Sequence, residues 1–153
     1  MQNKELLKKL GIETIYSAKG HFKSCDIRRN LITITIWMCA IVNIIGIFDF
    51  GHIVGKIISA VGLFGTIALL IWNEGEGKNY KVRHKQVGEE YLALHKEIRR
   101  CFFSDACSDD EIKKLNDAVV KIDKSDKLDI PWIARKWAQK AIEKYDETDN
   151  WFL

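Results

Sequence analysis

Residues 31–48 and 53–72 contain no Asp, Glu, Arg or Pro. Their single charge is Lys56, near the start of the second run, where its stem can snorkel outward. As helices of about 1.5 Å rise per residue, the runs would be about 27–30 Å long, close to the roughly 30 Å hydrocarbon layer of a bilayer. The connection Asp49-Phe50-Gly51-His52 has no Lys or Arg. No CxxC or Cys/His spacing of a zinc site occurs. The Gly-Glu-Gly-Lys78 string lacks the GxxxxGK[ST] spacing of a phosphate loop. No Ser/His/Asp order, glycine-rich nucleotide fingerprint or repeat is found. These absences leave an enzyme without a specific basis, and no catalytic residue, metal or cofactor is expected.

What is present fits an all-α membrane protein, a two-helix transmembrane hairpin plus a cytoplasmic helical bundle. Three regions are expected: an N-terminal amphipathic helix (1–30), the hairpin (31–72) and a C-terminal helical region (73–153). Lys4, Lys8, Lys9, Lys19, Lys23, Arg28 and Arg29 precede the first span, and Lys78, Lys81, Arg83 and Lys85 follow the second. The positive-inside rule then puts both termini in the cytoplasm. The net charge is only +3, and its basic residues cluster beside the spans. That argues for orientation and against direct nucleic-acid binding. A signal peptide fits poorly, because the first run starts late, is too long and is followed at once by another. A reducing cytoplasm makes structural disulfides among Cys25, Cys39, Cys101 and Cys107 unexpected. The rival reading, two buried helices of a soluble domain, lacks enough chain to cover them.

Within the spans, Thr35, Cys39, Asn43 and Gly46 share one face of the first helix, and Gly55, Ser59, Gly62, Thr66 and Asn73 one face of the second. Small residues let helices approach closely in lipid. These faces either pack the two spans together or mediate oligomerisation and line a pore. Asn43 is the telling residue, since an amide in hydrocarbon needs a partner. Phe48, Phe50 and Trp72 read as interfacial anchors.

Gly75 and Gly77 make a hinge after the second span. Ile15, Ala18, Phe22 and Cys25 recur at helical spacing in the N-terminal arm, with a break expected near Gly11. Tyr80, His84, Val87, Tyr91, Leu94, Ile98 and Cys101 step by four and three, a heptad seam that wants an apolar partner. That partner is the arm, the C-terminal helices or a neighbouring subunit. His84 and His95 lie too far apart along the helix for shared metal ligation. Ser108 and Glu111 have capping-box spacing. A metal or acid/base role for Asp109, Asp110 and Glu111 is conceivable, but capping at a helix N-terminus, where the dipole favours acidic groups, explains all three. Ile112, Leu115, Val119 and Ile122 form the next stripe. Pro131 opens a last helix, striped by Ile133, Trp137, Ala141 and Tyr145. Trp151-Phe152-Leu153 is an apolar tail expected to dock.

The segments Tyr16-Ser-Ala-Lys-Gly-His21-Phe, His84-Lys-Gln-Val-Gly-Glu-Glu-Tyr91-Leu-Ala-Leu94-His-Lys-Glu-Ile98 and Pro131-Trp-Ile-Ala-Arg-Lys-Trp-Ala-Gln-Lys-Ala141, set around two close spans, resemble the SLATT family over nearly the whole chain. These are bacterial two-span proteins encoded beside second-messenger synthases, SLOG-type sensors or reverse transcriptases. The resemblance implies an antiviral defence effector. It would oligomerise and form a pore in, or otherwise disrupt, the inner membrane when a nucleotide second messenger or a partner protein triggers it. Unlike longer members, this chain carries no fused sensor. The other expectation is a non-conducting membrane scaffold that recruits a cytoplasmic partner.

Overall fold

The computed structural model describes residues 2–48, 53–104, 107–125 and 128–145. Among these residues all regular structure is helical: α1 (Gln2–Phe48), α2 (Ile53–Trp72), a π-helical turn (Asn73–Gly77), α3 (Lys78–Phe103), α4 (Asp109–Ser125) and α5 (Trp132–Tyr145). Two of the helices are long and apolar enough to cross a membrane. The turn 49–52, expected to join the spans, and the tail 151–153 lie outside the described residues.

α1 is continuous, with no break at Gly11 or at the 30/31 boundary. One glycine weakens a helix by only about 1 kcal/mol relative to Ala. The Thr14 hydroxyl donates to the carbonyls of Leu10 (2.9 Å) and Gly11 (3.1 Å), so the helix passes through this point. Gly75 and Gly77 likewise lie in a widened helical turn that is continuous with its neighbours. A π-turn inserts one extra residue per hydrogen-bonded ring and is often found at functional positions.

The chain forms two compact units, Met1–Cys25 with Arg83–Leu153, and Asp26–Val82. The arm and the C-terminal region thus belong to one unit. Leu7, Leu10, Ile98, Cys101, Ile112 and Val119 form one buried cluster there, and Ala18, Val87 and Tyr91 another. Burying such aliphatic side chains contributes about 1.5–3 kcal/mol each. The α3 seam therefore meets α1 and α4 of its own chain. His84, Val87, Tyr91, Ile98 and Cys101 are buried, Leu94 is half-buried, and Tyr80 belongs to the other unit. A Cβ on Gly88 would sit 2.9 Å from the Phe22 ring, so α1 and α3 touch closely at this point.

α4 opens on a complete capping box. The Ser108 backbone N–H donates to Glu111 Oε2 at 2.9 Å, and the Glu111 N–H returns to Ser108 Oγ at 3.3 Å. Those hydrogen bonds, the backbone one first, hold the Glu111 carboxyl below its ordinary range. In α5 the expected stripe is displaced. Ala134, Ala138 and Ile142 are buried, while Ile133 and Trp137 face outward. Alanines let a helix approach its neighbours where an indole would hold it off, so the small-residue face won over the bulky one. The Tyr145 side chain is outside the described set. Pro131 stands one position before α5, its carbonyl accepting from the Arg135 N–H at 3.1 Å.

A second correction concerns the cysteines. Cys101, at the end of α3, and Cys107, before α4, are joined as a disulfide across a Cα–Cα distance of 5.4 Å. A reducing compartment bears on whether thiols stay reduced, whereas a separation of six positions lets the chain bring the two cysteines within bonding reach. Cys25 and Cys39 are free.

Candidate functional site

Two places gather polar groups, one in each unit. In the Asp26–Val82 unit, α1 and α2 meet along the small-residue faces. A methyl on Gly46 would collide with the Ser59 hydroxyl and lie 2.8 Å from the Gly55 carbonyl oxygen. One on Gly62 would lie 3.1–3.2 Å from the Asn43 amide atoms, and one on Gly65 would lie 3.9 Å from Cys39 Sγ. Gly46, Gly55 and Gly62 are buried here, and Cys39, Asn43, Ser59 and Thr66 half-buried. The structure brings these expected residues together within one chain. Thr35 donates to the Leu31 carbonyl of its own helix at 2.8 Å.

Each polar side chain on this face finds a backbone acceptor. Asn43 Nδ2 donates to the Cys39 carbonyl at 3.0 Å, Ser59 Oγ to the Asn43 carbonyl at 3.3 Å, and Thr66 Oγ1 to the Gly62 carbonyl at 2.9 Å. The outer surface is the reverse. Trp37, Ile45, Ile53, Val61, Phe64 and Ile71 are all exposed, and the most apolar windows of both helices are only 11% buried.

Below the paired faces, the Arg28 guanidinium sits 4.5 Å from the Trp72 ring and 4.4 Å from the Tyr80 ring. Its buried Nε has no hydrogen-bond partner among the described residues, and the ring faces take up the charge instead. Lys81 reaches Asn73 Oδ1 at 3.4 Å, and the Asn73 side chain lies against Gly77. The expected hinge is thus lined by the one polar residue of the second face that lies beyond the span.

In the other unit, α1 and α3 bury two imidazoles against each other. His21 Nδ1 and His84 Nδ1 are 2.8 Å apart, and the two rings are 4% and 0% exposed. One nitrogen donates and the other accepts, so this line holds one proton. The His21 ring also stacks on Tyr91 at 5.9 Å. The Tyr91 hydroxyl donates to Asp123 on α4. Burial first, and then that hydrogen bond and the neighbouring carboxylates, raise the phenol far above its ordinary pKa, so it remains a neutral donor. His95 binds the Gly11 carbonyl at 3.0 Å. His84 and His95, unsuited to a common metal by spacing, therefore each pair with α1.

His21, Tyr91 and Asp123 border a cavity of about 590 Å³, whose wall also includes Arg135 and Asp129, ion-paired at 3.2 Å. That volume is in the range of small-molecule sites, about 300–1,000 Å³. Sequence reasoning noted Tyr91 as a seam residue and did not single out His21 as a site residue. The available signal was its position three residues after Ala18 on the arm's apolar face. Among the described residues no group of three His, Cys, Asp or Glu side chains is placed to hold a metal ion.

Compared with known protein families, with curated proteins and with solved structures, the chain matches none.

Proposed function

We propose that this protein is a membrane effector of a bacterial anti-phage system. In this reading its hairpin lies in the inner membrane with both termini in the cytoplasm, and several copies assemble to open or disrupt the bilayer. The observation that carries the reading is the sorting of the hairpin surface. Asn43, Ser59 and Thr66 are turned inward and hydrogen-bonded, while large apolar side chains are left uncovered by protein. A surface of that kind suits lipid, where every polar group must be paired within the protein. It is an expensive surface in water.

In this reading the paired small-residue faces of α1 and α2 belong to the resting form. Opening exchanges the Gly46–Ser59 and Asn43–Gly62 contacts for contacts between copies and turns Asn43, Ser59 and Thr66 toward a water path. The trigger is a nucleotide second messenger or a partner protein. The cavity beside His21 and Tyr91 has the volume for a small molecule, and the π-turn at Asn73–Gly77 is a point where the helix can change its winding. Moving such a switch from 1:99 to 99:1 takes about 5.5 kcal/mol of differential binding.

The second reading, a non-conducting anchor for a scaffold, is favoured by one fact. Asn43, Ser59 and Thr66 all find acceptors within the chain, so nothing in the spans demands another subunit.

Inducing the chain in bacteria with its neighbouring genes and following membrane potential separates the two. The effector reading expects depolarisation on triggering, weakened by Asn43→Leu at equal expression. Unchanged potential overturns it. Full activity after both spans are replaced by unrelated ones establishes the anchor.

A further inference from the structure

α5 hides its smallest side chains and displays its largest. Ala134, Ala138 and Ile142 are 0%, 1% and 0% exposed. On the other side Trp132 is 69% exposed, Trp137 46% and Ile133 39%. At helical spacing Lys136 and Lys140 lie between the two indoles on that side. Both are exposed, and neither makes an ion pair among the described residues. The only carboxylate of the helix, Glu143, accepts a hydrogen bond from the Gln139 amide at 2.8 Å.

Two exposed indoles flanking two lysines form a surface with a definite chemistry. An indole has a flat apolar body and one N–H donor, a shape favoured at the depth of lipid headgroups. A lysine can lay its methylenes along apolar surface and keep its ammonium in water. Helices that lie on bilayers combine these two residue types.

We propose that the outer face of α5 docks on the surface of an anionic phospholipid bilayer, with Trp132 and Trp137 seated among the headgroups and Lys136 and Lys140 on their phosphates. Charge complementarity and the paired indoles favour a lipid surface over nucleic acid, which the small net charge of +3 suits poorly. The inference rests on the reading of the hairpin as membrane-embedded. Spans held in a bilayer tether α5 to it, so weak intrinsic affinity is multiplied by effective concentration.

The test uses the full chain carrying Trp37→Phe, Trp72→Phe and Trp151→Phe, so that only Trp132 and Trp137 fluoresce. It is reconstituted into vesicles of phosphatidylcholine alone, or mixed equally with phosphatidylglycerol, containing lipids brominated near the headgroup. Quenching about two-fold stronger in the anionic vesicles is expected, as is its loss at high salt and in the Lys136→Glu/Lys140→Glu variant. Quenching that is absent, equal in both vesicles or indifferent to the charge reversal overturns the proposal. So does blue-shifted emission without quenching, which places the indoles against protein, either an acidic partner or a second copy. A companion chain retaining only Trp37, with bromines deep in the acyl region, reports on the spans. Its failure to quench defeats the hairpin reading instead.

Discussion

The phenol of Tyr91 shows how one buried group can tie stability to pH. Its proton is held first by burial and then by the hydrogen bond to Asp123. The fold favours the neutral form, so its contribution is complete below the ordinary value of 10.0 and fades as pH rises toward the higher folded value. The full chain in detergent should lose thermal stability through the tyrosine range, and Tyr91→Phe should flatten that loss. At neutral pH the same change should cost about 1 kcal/mol, as for an ordinary hydrogen bond, because Asp123 is exposed. An unchanged alkaline profile in a folded variant would show that Tyr91 is not the group responsible. Asn43 raises a related point. Its residue type said that a partner was needed, and the Cys39 carbonyl four residues earlier supplies one without a second chain.

At the scale of elements, helix starts were more legible than helix faces. The Ser108 and Glu111 pairing needs only local backbone, so its spacing named it correctly. Ser108→Ala should destabilise the unit by about 1 kcal/mol, visible as a lower unfolding temperature. The Glu111 contribution is present above its ordinary value of 4.5 and is lost as pH falls. The serine variant should therefore lose part of its acid sensitivity together with its stability. α5 was less legible. A stripe drawn through its bulkiest residues missed the buried face, because Ala134 and Ala138 face close neighbours that only small side chains admit. The absence of a break at Gly11 has a similar cause, since helix on both sides and Thr14 outweigh one glycine.

For the whole molecule, the decisive feature is that the two ends of the chain build one unit. Leu7 and Leu10 of α1 fill the same cluster as Ile98 of α3 and Ile112 of α4. Leu7→Ala should remove about 2–5 kcal/mol, and trypsin should then cut α3 and α4 as well as the N-terminal residues. Digestion confined to α1 would show that the cluster does not act as one body.

Helical structure among the described residues, the position of two apolar helices and the side of each that carries small and polar residues were legible in the amino acids alone, because those features depend on composition and on the 3.6-residue period. What each face meets was fixed by folding in three dimensions. That folding set Asn43 against Gly62, closed the α3 seam with α1 and α4 of the same chain, joined Cys101 to Cys107, and brought His21 within hydrogen-bonding distance of His84. A helical period fixes the direction of a side chain relative to its own axis, whereas its partner depends on how distant segments pack to fill space.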